Sequence, residues 1–164
     1  MDGMIGGDRI AYLLSPKVWY VGFFSQPVKN WWDRLSPEWC RHVMAWGYVP
    51  AAETWVVIDH VESRIIPLVI PDGDVFHGWL AMAYERRPRV LSVPVGDGSP
   101  YAGRVGHWCT TTTLRMLGTK SGAWRPIGLF RDLLAQGAED VTPDYGHQDQ
   151  REGSERGSRR EEAA

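Results

Sequence analysis

Between Arg41 and Gly73 the chain is a succession of short apolar runs, each of strand length and each closed by turn chemistry. Arg41 to Val49 and Thr54 to Val61 read as a β-hairpin around Pro50-Ala51-Ala52-Glu53. Arg64 to Ile70 extends the same sheet until Pro71-Asp72-Gly73 stops it. Upstream, Ile10 to Leu14 and Val18 to Phe24 are further strand-like runs parted by Ser15-Pro16-Lys17, and Val28 to Leu35 reads as a short helix or turn ended by Ser36-Pro37. Downstream, Asp74 is placed to cap a helix from Val75 to about Arg86, with Trp79, Met82 and Ala83 on its buried side. Pro88 ends it, and Arg89 to Val95 supplies another β-rich run. Pro126 and Gly137 bracket a last helix, Ile127 to Gln136. Strands mixed with short helices in this order specify an α+β fold.

The 164 residues suit one domain with a sizeable core, placed at 10–138 between a flexible leader (1–9) and a charged disordered tail (139–164). From Gln148 onward the tail is almost entirely charged and small residues, with nothing large and apolar to anchor it. A net charge of −2 gives no electrostatic reason to expect nucleic acid. No stretch approaches a membrane span. Met1 to Arg9 is glycine-rich and acidic, unlike a secretory signal, so the two cysteines are expected as reduced thiols in a cytoplasmic setting. A Cys40–Cys109 disulfide stays open for a protein later released from the cell. The nine tryptophans are assigned first to the core and second to a cleft.

Chemistry concentrates around Cys109, in the run His107-Trp108-Cys109-Thr110-Thr111-Thr112-Thr113-Leu114-Arg115-Met116-Leu117-Gly118. This run reads as a helix opening on a cysteine, where the dipole and unpaired N–H groups favour thiolate. His42 stands at the start of a strand and could serve as its base. The competing reading is a small buried hydrophobe. A zinc site built from Cys40-x-His42 and His107-x-Cys109 has pair spacings narrower than structural zinc normally uses. No cofactor or metal is expected. The glycine- and proline-rich loop from Gly96 to Gly106 lacks the Lys-Ser/Thr ending of a phosphate-binding loop, while His77 and His147 read as ordinary surface or packed histidines.

A further reading comes from the order of these pieces. Trp31-Trp32, Leu35-Ser36-Pro37, Arg41-His42, Trp55-Val56-Val57-Ile58-Asp59, Cys109 to Gly118, and Arg125-Pro126 to Leu134 occur in sequence. The chain therefore resembles circularly permuted papain-like proteins of the NlpC-type peptidase and lecithin retinol acyltransferase superfamily, in particular small phage and prophage members. The resemblance spans about Trp31 to Leu134. It implies an antiparallel sheet packed against a Cys-bearing helix, with Cys109 as nucleophile, His42 as general base and Asp59 orienting the imidazole. Pairing Tyr48 with Thr54 would put His42 opposite His60 and turn Asp59 to the other face; a one-residue slip reverses this. Both Asp59 and His60 thus stand as third residue, and the proline that often follows the aspartate in related proteins is absent here. The resemblance implies a cysteine peptidase, amidase or acyltransferase acting on a peptide, amide or acyl substrate, with peptidoglycan peptides as one class. The alternative is a catalytically inactive structural or interaction protein, with phage or prophage proteins as partners and association with the virion.

Overall fold

The computed structural model describes residues 15–28, 31–61, 64–95 and 109–145. Among the described residues six strands form one antiparallel sheet: β1 (Val18–Phe24), β2 (His42–Val49), β3 (Thr54–Val61), β4 (Arg64–Pro71), β5 (Arg89–Pro94) and the short β6 (Glu139–Asp140), in spatial order β4-β3-β2-β1-β5-β6. Three α-helices accompany it among the described residues: α1 (Asp74–Glu85), α2 (Cys109–Leu117) and α3 (Pro126–Ala135). Two 3-10 turns, Trp31–Leu35 and Glu38–Cys40, carry the chain from β1 to β2. Ile10 to Leu14, the leader, the Gly96–Gly106 loop and the tail beyond 145 lie outside the described residues.

β2 is the centre of the molecule. Only Tyr48 along it is more than slightly exposed, because both faces of the strand are covered, and its sequence accordingly runs apolar without alternation. Successive residues point to opposite faces. Val43 and Ala45 join Val21, Phe23, Leu91 and Val93 under Leu114 and Leu117 of α2 and Leu129, Phe130 and Leu133 of α3. Met44 and Trp46 join Phe24, Val57 and Val90 under Phe76 and Ala83 of α1. A helix pair on one face and a single helix on the other make three layers. Trp55 stacks flat on Phe76 at 4.0 Å between centroids, which joins β3 to α1. Trp19, Trp39, Trp46, Trp55 and Trp79 sit in these layers, whereas Trp31 and Trp124 stand at the surface.

Several local expectations need correction. Asp74 is the first residue of α1, not its cap; Gly73 takes the cap position at φ 118°. The chain must reverse between β4 and α1, and only glycine adopts that backbone without strain. From Asp74 the carboxylate still faces the positive helix end. Met82 is 61% exposed. The buried stripe of α1 runs through Phe76 and Ala83, a seven-residue repeat with Trp79 and Leu80 partly buried between them, and Met82 falls outside it. The start of the expected tail belongs to the domain. Glu139 and Asp140 pair with Ser92 and Leu91, the Val141 N–H donates to Val90, and the Tyr145 hydroxyl donates to the Pro88 carbonyl at 2.7 Å. Free backbone groups on the outer edge of β5 explain this, since they accept a strand whatever its side chains. Among the described residues no helix is long and apolar enough to cross a membrane.

Candidate active site

The β2–β3 hairpin sets the geometry. Its loop is a 3-10 turn, Pro50–Ala52, followed by Glu53 in the left-handed region at φ 47°, with the Glu53 N–H donating to the Pro50 carbonyl. That four-residue loop closes on the pair Val49 and Thr54, so Tyr48 faces Trp55 and Met44 faces Asp59. The pairing differs by one residue from a Tyr48–Thr54 register. Asp59 therefore shares a face with Met44 and with His42, two positions along, and reaches the imidazole diagonally. His42 Nε2 lies 2.7 Å from Asp59 Oδ1. His60, one residue on, points to the opposite face, where it is buried and its Nε2 has no partner among the described residues.

Cys109 opens α2, and that helix packs against β2. Its thiol is hydrogen-bonded to His42, receives the Val43 backbone N–H and lies beside the Thr110 hydroxyl. The Thr110 contact is the loosest of these, since its buried Oγ1 makes no well-formed hydrogen bond among the described residues. With Nε2 facing Asp59, Nδ1 is the ring nitrogen left to exchange a proton with sulfur. Phe24, paired across β1–β2 with His42, packs its ring with its centroid 6.3 Å from that of the imidazole.

Opposing electrostatic effects act on each group. Burial alone would pull the His42 pKa down. The hydrogen bonds and charges of Asp59 and Cys109 outweigh it and hold the imidazole up at about 9. Burial alone would raise Cys109; His42, the Val43 N–H and Thr110 bring it below the ordinary thiol value instead. Burial likewise acts to raise Asp59, and the His42 contact, the His60 backbone N–H and the Arg86 charge hold it below the usual carboxylate range. These contacts bias His42 toward imidazolium, Cys109 toward thiolate and Asp59 toward carboxylate.

Cys40 contrasts with this. It has no exposure, packs in the core between sheet and helices, and burial pushes its thiol up to about 12. Both cysteines are free. Among the described residues no three His, Cys, Asp or Glu side chains come together as a metal site, and His107 lies outside those residues. His77 lies exposed on α1.

A cavity of about 380 Å³ opens beside the sulfur, lined by Trp31, Asp33, Ser36, Arg41, Cys109, Thr110, Trp124, Arg125 and Pro126. Sequence reasoning did not single out Trp124, Val43 or Arg86 as part of this region. Arg86 follows a helix end and approaches Asp59 only through the packing of α1. The Val43 amide is invisible as a side-chain pattern. Comparison with protein-family models, characterised protein sequences and solved structures returns no match. The site therefore rests on its own geometry.

Proposed function

We propose that this protein is a cysteine hydrolase with the circularly permuted papain-like arrangement, in which Cys109 attacks an ester, thioester or amide carbonyl. The observation that carries the reading is the chain of contacts from Asp59 through His42 to Cys109, with Nε2 and Oδ1 2.7 Å apart. A carboxylate on one ring nitrogen fixes the tautomer and stabilises the imidazolium that the thiol's proton creates. The thiolate forms the new C–S bond. The developing oxyanion lies near the backbone N–H of Cys109, at a helix start where such groups lack intrahelical acceptors. The imidazolium returns its proton to the leaving group as the scissile bond breaks, leaving a thioester. A water then loses a proton to His42, attacks the thioester and releases the acid with the thiolate restored. Peptides, peptidoglycan peptides among them, are the substrates that the resemblance implies. A second reading, a non-catalytic interaction module, is favoured by Trp31 at 71% exposure and Val69 at 68%.

An electrophilic thiol probe at neutral pH separates the two. The hydrolase reading expects fast, selective labelling of Cys109 over Cys40, lost in His42→Ala. Equal and slow labelling of both thiols, indifferent to that substitution, favours the interaction module.

A further inference from the structure

The cavity beside Cys109 has a chemistry of its own. Trp31, Trp124 and Pro126 are the large apolar residues of its lining, and both tryptophans are exposed. Some of the polar groups around them are committed to the protein itself, while Thr110 Oγ1 and Arg41 Nε are buried without a partner among the described residues. Arg125 donates to the Leu35 carbonyl at 3.1 Å and lays its guanidinium over Trp124 at 4.4 Å. Arg41 donates through Nη1 to the Gln26 carbonyl at 3.0 Å. Asp33 is also engaged. What the cavity offers a ligand is therefore aromatic surface within reach of the nucleophile, in a volume typical of small-ligand sites.

We infer that this cavity is the acyl-side subsite, and that it selects substrates whose acyl group carries an aromatic ring. The inference rests on Cys109 acting as the nucleophile. A ring held against Trp31, Trp124 and Pro126 is taken out of water in the same cavity that Cys109 lines.

The test uses the full chain and three 4-nitrophenyl esters: acetate, hexanoate and 3-phenylpropanoate. In each reaction the Cys109 thiolate forms a thioester, the ester C–O bond breaks, 4-nitrophenolate leaves, and water then releases the acid. Mass spectrometry locates the acyl group. Phenylpropanoate is expected to acylate Cys109 at least about tenfold faster than acetate, and faster than hexanoate, in kcat/KM. Trp124→Ala, altering a half-exposed side chain, is expected to bring the phenylpropanoate-to-acetate ratio close to one. Trp31→Ala supplies an independent second variant with the same expected direction. Acylation of Cys109 by all three esters at similar rates, or a ratio unchanged in both variants, overturns the subsite while leaving the hydrolase reading standing. No acylation by any ester overturns both.

Discussion

His42 and Asp59 are diagonal neighbours across the β2–β3 ladder, joined at 2.7 Å because Asp59 faces Met44 rather than His42 itself. Nε2 is thereby engaged by the carboxylate, and Nδ1 is the nitrogen left for Cys109. A directly opposed pair would bring the two side chains closer along their whole length. The third group would then have less room.

The charge of Asp59, beyond its hydrogen bond, is expected to set the basicity of His42. Asp59→Asn keeps an acceptor for the imidazole but removes the negative charge. The His42 pKa should fall from about 9 toward the ordinary 6.5, followed by NMR of the imidazole resonances. The thiol of Cys109 also bears on that value, so the titration belongs to the coupled group and a partial fall is expected. An unchanged titration would show that Cys109 alone holds the imidazole charged.

The same contacts make stability depend on pH, and the signs differ at the two ends. His42 is raised in the folded state, so its contribution is complete below 6.5 and lost as pH climbs through about 9. Asp59 is depressed, so its contribution is complete above its ordinary 3.8 and lost as pH falls through the lower folded value. Cys109, also depressed, gains as pH rises toward 9.0 and opposes the alkaline loss. Urea midpoints in a Cys109→Ser background isolate the His42–Asp59 pair. They should fall on the alkaline side, and Asp59→Ala should flatten that limb.

The two thiols should react in different regimes. Cys40 is fully buried with its pKa pushed up to about 12, whereas Cys109 is partly exposed and depressed. Titration with a chromogenic disulfide should count one thiol in the native protein and both in denaturant. A second fast native thiol would contradict the packing of Cys40.

Gly22 tests how tightly the site is backed. A Cβ there would stand 2.6 Å from Phe24 and 2.8 Å from Trp46, both ring atoms in the layer under α1. Gly22→Ala should cost about 1–3 kcal/mol by overpacking, read as a lower urea midpoint. Because Phe24 packs on the imidazole, the variant should also slow Cys109 labelling. Loss of stability with labelling unchanged would separate that layer from the site.

Local pattern alone carried much of the architecture. The apolar runs at β1 to β5, the Cys109 helix and the Pro126–Gly137 bracket around α3 all declare themselves through short-range chemistry: periodicity, turn residues, a cap glycine. So do Cys109 and His42 as candidates, since a thiol at a helix start is a one-dimensional feature. The choice between Asp59 and His60 is different. It depends on whether the Pro50–Ala52 turn takes one residue more or fewer, and a slip of one exchanges the two faces of β3. Glu53 at φ 47° decides it, and that conformation depends on how the loop closes. The burial of Phe76 instead of Met82 and the docking of residues 139–145 on β5 likewise followed from what stood nearby in three dimensions. So did the meeting of Trp31 and Trp124 at one cavity, across more than ninety residues. Sequence alone determined most of the elements and the candidate side chains; tertiary structure decided which of them face each other, because register and packing are set by contacts between segments that no local pattern records.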